Sequence, residues 1–207
     1  MKFDLHIHTK YSLDGKEEPR KIAKFLKKSG YGGMAITDHD TIKGAFGIDI
    51  ENFVIIPGEE IKTNGGHILA IGIEEEIKSR DAEEAVDEIH SKGGIAIIAH
   101  PFRYSKPGVA TIDAVEVING RNLPRQNKRA MEYAKRRRLP MTAGSDAHFM
   151  WEMGRAYTIM EAHDIDEALQ AIIKGETRVG ANMTFWHPIK STIFSSLDFV
   201  RRGFKRV

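Results

Sequence analysis

Short runs of apolar residues recur along this chain, and most of them end in histidine, aspartate or glutamate. Runs of this kind are typical of strands buried in parallel sheets. Helical patterns separate several of the runs, so the chain predicts an α/β domain built from repeated βα units. A barrel explains best why polar residues collect at the strand ends, because barrel active sites lie on the carboxyl-terminal rim. We predict strands over residues 2–8, 33–37, 53–56, 67–72, 95–99, 114–118 and 140–143.

The first predicted strand carries two histidines on one face. His6 and His8 are two residues apart, and residues at that spacing point the same way from a strand. Asp14 follows in a Ser-Leu-Asp-Gly turn that could return a carboxylate to the same place. Two imidazoles and a carboxylate suit zinc, iron or manganese. Two solvated surface histidines are the alternative interpretation of this pair taken alone.

Composition limits the classes of protein to consider. The 207 residues include no cysteine, so histidine and carboxylate must hold any metal. The 31 basic and 29 acidic residues give a net charge of +2, too balanced to indicate a nucleic-acid-binding protein. Apolar runs are too short for a membrane span, and the polar start lacks the apolar stretch of a signal peptide. We therefore expect a single cytoplasmic domain.

The end of the chain predicts a separate amphipathic helix. We expect the barrel to occupy residues 1–180 and a tail to occupy residues 181–207. Apolar residues at near-helical spacing in residues 191–204 indicate a helix packed on the barrel or on a partner subunit, so a homo-oligomer is left open. A membrane surface is the alternative. The basic clusters at residues 136–138 and 201–206 are typical of a solvated helix end and a basic terminus.

Histidine and acidic side chains at the predicted strand ends form a set of nine candidate ligands. One ion takes three or four protein ligands, so nine are too many for a single site. With one bridging carboxylate, the set would serve two or three divalent ions. The candidates are His6, His8, Asp14, His39, Glu60, His67, His100, Asp146 and His148.

These motifs together resemble the PHP (polymerase and histidinol phosphatase) domains. Residues 4–9 with Ser12 and Asp14 are similar to the first motif of that family, and residues 36–41 to the second. The remaining three motifs of the family are similar to residues 58–61 together with 67–69, to residues 99–101 and to residues 144–148. The resemblance is ordered, covers residues 2–148 and implies a distorted (β/α)7, TIM-like barrel. It also implies a stand-alone metal-dependent phosphoesterase, since no polymerase region adjoins the motifs.

The resemblance implies three groups of metal ligands. Glu60 would bridge the first two ions, although the adjacent Glu59 is an alternative in one register. Asp14 stands where the family often has histidine. The first ion would be held by His6, His8, Glu60 and Asp146, the second by Glu60, His67 and His100, and the third by Asp14, His39 and His148.

Clustered ions of this kind suggest phosphoester hydrolysis. Two cations lower the pKa of a shared water, and the resulting metal-bridged hydroxide attacks phosphorus in line. Glu60 would hold the bridge, and Arg103 and Arg121 are placed to bind a phosphate, with surface ion pairs as their alternative role. Asp38 and Asp40 flank His39 and are candidates to orient it.

The predicted function is hydrolysis of a phosphomonoester or phosphodiester bond, in a nucleotide or at an oligonucleotide end. Two or three Zn, Mn or Fe ions would serve as cofactors, and the partner would be a small phosphorylated substrate or a short nucleic-acid end. Three alternatives remain: a histidinol-phosphate-type phosphatase, an amidohydrolase-type metal hydrolase and a non-catalytic metal-stabilised binding module.

Overall fold

A mixed β-sheet dominates the structure, a computed structural model that describes residues 1–103, 108 and 111–205. Within these residues, nine strands form one sheet in the order β7-β6-β5-β4-β3-β2-β1-β8-β9. The strands are β1 (Lys2–Asp4), β2 (Tyr31–His39), β3 (Val54–Thr63), β4 (Gly66–Ile71), β5 (Ile95–Ile98), β6 (Ala114–Asn119), β7 (Met141–Gly144), β8 (Ala156–Ile159) and β9 (Arg178–Ala181). The α-helices are α1 (Pro19–Lys28), α2 (Ala82–Ser91), α3 (Pro124–Arg137), α4 (Ile165–Ile173) and α5 (Trp186–Arg201).

The prediction of repeated parallel βα units is correct for only part of the sheet. Strands β1, β2 and β3 pair in parallel, as do β5, β6 and β7. Strand β4 is antiparallel to both of its neighbours, and β8 is antiparallel to β1 and β9. The reason lies partly in Asn64 and Gly65, a dipeptide that favours a two-residue hairpin turn and leaves no room for a crossover helix.

The sheet curls into a nearly closed barrel. The segments that follow β1 and β7 meet at the carboxyl-terminal side of the sheet, where Ile7 forms a parallel bridge with Ala147. The His8 N–H donates to the Ala147 carbonyl at 2.9 Å, and the Asp146 N–H donates to the His6 carbonyl at 2.7 Å. The architecture is therefore α/β and barrel-like. The predicted (β/α)7 pattern is not what the described residues form, because two late strands join the sheet.

Sequence signals explain where two of the helices begin. Helix α1 starts at Pro19, whose missing N–H costs nothing in a first turn, and buries Ile22 and Leu26. Helix α2 follows Asp81, whose carboxylate accepts the backbone N–H groups of Glu83 and Glu84, as an aspartate at this position before a helix commonly does. These helices cover the outside of the barrel and leave its carboxyl-terminal rim accessible.

Helix α5 lies against the rim side of the barrel. Arg121 donates to the Ser191 carbonyl at 3.3 Å, and Lys16 pairs with Asp198 at 2.7 Å. The ring centroids of Trp151 and Phe194 lie 5.4 Å apart. The domain boundary predicted after residue 180 falls inside β9, and the last two residues of the predicted tail lie outside the described residues. No described helix has the length and apolar character that crossing a bilayer requires.

Candidate metal centre

All nine predicted ligands lie together at the carboxyl-terminal rim of the barrel. Parallel strands deliver their carboxyl ends to one side of a sheet, and this brings together residues far apart in the chain. His6 and His8 follow β1, His39 ends β2, Glu60 and His67 lie in β3 and β4, His100 follows β5, Asp146 and His148 follow β7, and Asp14 lies in the loop between β1 and α1.

Glu60 occupies the centre of this cluster, and its two oxygens face different histidine pairs. Its Oε2 lies 3.3 Å from His6 Nε2 and 3.2 Å from His8 Nε2. Its Oε1 lies 2.7 Å from both His67 Nδ1 and His100 Nε2. This is the arrangement of a carboxylate placed between two cation sites.

Asp146 adds to the first of these sites. Its Oδ1 lies 3.7 Å from His6 Nε2 and 3.5 Å from His8 Nε2. A further group connects the first two predicted sites. It consists of His6, His100 and Asp146, whose potential ligand atoms all lie within 4.8 Å of one another.

A further group forms around Asp14. Its Oδ2 lies 3.0 Å from His148 Nε2 and 3.8 Å from His39 Nε2. His8 joins this group as well, since its ring centroid lies 4.1 Å from that of His148 and 4.4 Å from that of His39. The predicted division assigned His8 to the first ion alone, whereas the structure places it between the first and third groups.

The charge pattern of the cluster fits a cation. Burial raises the pKa of Glu60, but the nearby imidazoles of His6, His39 and His100 outweigh burial and hold that pKa well below its usual range. Burial lowers the pKa of His8, yet hydrogen bonds to Asp146 and Glu60 raise it to about 9. In the absence of a metal, the carboxylates therefore draw protons onto His6 and His8, and a divalent ion would take the place of those protons.

One orphaned atom points to the same conclusion. Asp14 Oδ1 is buried, and the described residues offer it no hydrogen-bond partner. An unsatisfied carboxylate oxygen is costly, and a cation beside it would remove that cost. Histidine nitrogens and carboxylate oxygens are ligands that zinc, manganese and iron accept, so the residues present fit the predicted metals.

Glu59, the alternative to Glu60 as the bridging ligand, does not face the cluster. Adjacent residues of a strand face opposite sides, and the Glu59 carboxylate accepts the Ile77 N–H on the other side of β3. Glu60 is the residue that faces the histidines.

The two predicted phosphate-binding arginines hold the rim together. Arg103 donates to Asp146 Oδ2 at 2.6 Å and also to Asn119 and Asn122. Arg121 Nη1 lies 2.9 Å from His148 Nδ1. Both arginines line the cavity described below. Because each guanidinium has five N–H groups, it can keep its present contacts and also donate to a bound phosphate.

Asp38 and Asp40 have different environments. The Asp38 carboxylate accepts the Thr9 N–H at 2.6 Å and the Ser12 N–H at 3.1 Å. Ser12 Oγ in turn lies 3.2 Å from His8 Nδ1, so Asp38 supports His8 through the loop. Asp40 pairs with Arg80 at the surface, away from the ligands it was predicted to orient.

Glu116 is a cluster residue that sequence reasoning missed. It lies in β6, is 1% exposed, and its Oε1 is 2.9 Å from His6 Nδ1. A signal was present, because Glu116 is the one charged residue in an otherwise apolar strand, Ala114–Ile118. A buried charge in such a run requires a partner.

A cavity of 1210 Å³ opens in front of the cluster. The rim residues form its floor, and the turn between β3 and β4 forms one side. The opposite wall is helix α5, which contributes Ile189, Ser195 and Phe199 among others. The space exceeds what ions and a phosphate group need, so it leaves room for a larger substrate.

Comparison with known families agrees with this architecture. Residues 4–149 match the family model described as PHP domain, and residues 124–177 match a model described as PHP-associated. The first match covers well over half of the chain, so the chain belongs to the PHP domain family.

Relatives and solved structures extend the comparison. An uncharacterized protein of Methanocaldococcus jannaschii is 41% identical over 145 residues, which cover 58% of this chain and 82% of the relative. A candidate metal-dependent phosphoesterase from Bifidobacterium adolescentis has a TM-score of 0.58 and 18% identity, covering 84% of this chain and 96% of that chain. An amidohydrolase from Chromobacterium violaceum, with bound sulfate and no metal, has a TM-score of 0.63 and 18% identity, covering 86% and 97%. At these identities the solved structures establish a shared fold.

Proposed function

We propose that this protein is a metal-dependent phosphoesterase that hydrolyses phosphomonoester or phosphodiester bonds of a nucleotide or of an oligonucleotide end. The observation that carries the proposal is the position of Glu60 between two histidine pairs, at 2.7–3.3 Å on either side. A carboxylate in that position supports a two-metal centre, and such centres are suited to in-line displacement at phosphorus.

Each group of ligands has a role in the proposal. His6, His8 and Asp146 would hold one ion with Glu60, and His67 and His100 would hold the second. Asp14, His39 and His148 would hold a third ion. Bound divalent ions would polarise the phosphoryl oxygens and lower the pKa of a water molecule to near neutrality.

The surroundings of the cluster favour an anionic substrate. Arg103 and Arg121 line the cavity and are both half-buried, so their charge is poorly screened by solvent. Their planar N–H groups match the oxygens of a phosphate.

Amide hydrolysis is the second candidate, because the Chromobacterium violaceum structure is described as an amidohydrolase. A mononuclear or dinuclear amidohydrolase site would use fewer ligands than the rim contains. The additional group around Asp14 therefore favours the phosphoesterase.

Phosphate release by the manganese-loaded protein tests the proposal. The substrates are nucleoside mono- and bisphosphates, sugar phosphates, histidinol phosphate and short 5′-phosphorylated RNA and DNA. We expect release from at least one class, and we expect His8→Ala to reduce it by at least about 100-fold, since a shared ligand is lost.

The matched control is His163→Ala, which removes an exposed histidine outside the cluster and leaves release unchanged. A protein that carries its full complement of metal but releases no phosphate from any substrate would contradict the proposal. Amide hydrolysis by that same preparation would establish the second candidate instead.

A further inference from the structure

Glu116 contacts more than one part of the metal centre. Its Oε1 lies 2.9 Å from Nδ1 of His6. Its Oε2 accepts the backbone N–H of His100 at 2.6 Å and the side-chain amide of Asn119 at 2.9 Å. One buried carboxylate therefore touches a ligand of the first predicted ion and the backbone of a ligand of the second.

The contact with His6 determines which ring nitrogen faces the cluster. A carboxylate only accepts hydrogen bonds, so Nδ1 of His6 carries the proton. Nε2 is then the nitrogen that remains for a metal ion, and it lies 3.3 Å from Glu60 and 3.7 Å from Asp146. A carboxylate behind a metal-ligating histidine fixes the ring orientation and raises its basicity.

The contact with His100 holds an uncommon backbone conformation. His100 has φ of 28°, a value that residues with side chains rarely adopt. The short hydrogen bond from its N–H to Glu116 stabilises this conformation. From this backbone position, Nε2 of His100 lies 2.7 Å from Glu60 Oε1, whereas Nε2 of His6 lies 3.3 Å from Glu60 Oε2.

A strand irregularity aims Glu116 and Asn119 at the same place. Residues three apart in a regular strand face opposite sides. The register of β6 against β7 shifts between Glu116 and Ile118, and the bulge brings both side chains inward. Asn119 also donates to Asp146 Oδ2 at 3.2 Å, which extends the network to a further ligand.

We infer that Glu116 is a positioning residue that joins the two ion sites on either side of Glu60. It does so by holding His6 in the tautomer that binds metal through Nε2 and by fixing the backbone of His100. The inference rests on the proposed function, because it requires that the cluster bind divalent ions.

Two substitutions separate the two contacts. Glu116→Gln keeps an acceptor oxygen for the His100 N–H but presents an amide N–H₂ group to His6, which moves the imidazole proton to Nε2. Glu116→Ala removes both contacts. Glu59→Gln is the matched control, since Glu59 is a buried glutamate of another strand of the same sheet, β3, and faces away from the cluster.

The experiment titrates each apoprotein with Co²⁺ and records the visible absorption spectrum, which reports the ligands of each ion without any need for turnover. We expect Glu116→Gln to weaken one Co²⁺ site by about 10–100-fold and Glu116→Ala to weaken two sites, the usual cost of losing such a hydrogen bond. Glu59→Gln keeps the wild-type affinities and spectrum. Unfolding midpoints in chelator check the fold, and the isosteric Gln variant carries the test if the Ala variant does not fold.

The outcomes distinguish this inference from the proposed function. Wild-type affinities in Glu116→Gln, or loss of a single site in a folded Glu116→Ala, would overturn the inference alone. A wild-type chain that binds no Co²⁺ would overturn the proposed function together with it.

Discussion

At the scale of single residues, neighbouring glutamates in one strand have opposite environments. Glu60 faces five histidines, and three of them, His6, His39 and His100, keep its pKa well below the usual range despite burial. Glu59, one residue earlier, has no comparable partner, and burial with the nearby carboxylates of Glu76 and Asp40 raises its pKa to about 7. The alternation of a strand thus separates an ionised carboxylate from one that holds its proton near neutrality.

Glu59 leads to a prediction about stability and pH. Its native pKa of about 7 exceeds its ordinary value of 4.5, so the native state binds this proton more tightly than the unfolded chain does. The stabilisation is complete below pH 4.5 and is lost as the pH rises to about 7. The glutamine of Glu59→Gln does not titrate, so the variant does not lose stability in this way. The free energy of unfolding of the variant minus that of wild type should therefore increase by about 1–3 kcal/mol between pH 5 and pH 8.

Urea unfolding of both proteins at several pH values measures this difference. The histidine cluster is the same in both proteins, so its contribution cancels in the comparison. Stability curves that remain parallel from pH 5 to pH 8 would contradict the assignment of a raised pKa to Glu59.

At the scale of elements, the site depends on how closely β7 approaches His6, which follows β1. A Cβ atom on Gly144 would lie 2.4 Å from His6 Cβ and 2.7 Å from the His6 backbone nitrogen. Contacts this short are not found between real atoms, so only glycine permits the approach that closes the barrel.

Gly144→Ala should therefore disturb the barrel seam and the centre together. We expect a loss of about 1–3 kcal/mol in the free energy of unfolding, as overpacking of a close contact usually costs, and a weaker affinity for Co²⁺ because His6 is displaced. Gly32→Ala is the comparison variant: its added methyl group would also make a short contact, 2.8 Å from Met1 Cβ, but away from His6, so it should leave the affinity for Co²⁺ unchanged. Chemical unfolding and Co²⁺ titration measure both effects, and wild-type values for Gly144→Ala would show that the seam is not tight.

At the scale of the whole molecule, the centre ties together segments from nearly the full barrel. Its candidate ligands extend from His6 to His148, and Arg121 connects the rim to α5 through Ser191 and Ser195. An ion bound by such distant segments binds the folded chain and not the unfolded one, so it adds its binding free energy to stability.

Metal removal should accordingly lower the thermal unfolding midpoint. At 100 times its dissociation constant one bound ion contributes about 2.7 kcal/mol, which corresponds to a shift of about 5–10 °C in a domain of this size. We expect this shift when manganese-loaded protein is treated with a chelator, and a much smaller one in His6→Ala. Equal midpoints with and without chelator in the wild type would contradict a metal centre that links the barrel.

The extent to which the sequence predicts this fold differs between elements. The caps at Pro19 and Asp81 are local signals, and both helices begin where they indicate. Strands β8 and β9 were not predicted, because a short strand at the end of a sheet is stabilised by its neighbours more than by its own pattern. Glu116 was missed for a related reason, since its importance depends on His6, a residue 110 positions earlier in the chain.

The sequence by itself determined the types of ligand and their positions at strand ends, because side-chain chemistry and strand alternation are local properties. It also determined the family, through ordered motifs between residues 4 and 149. Only the tertiary structure decided that His8 lies between two groups and that Glu116 supports both His6 and His100. These features depend on the register of strands that pair across long stretches of chain, and register is set by how the whole barrel packs.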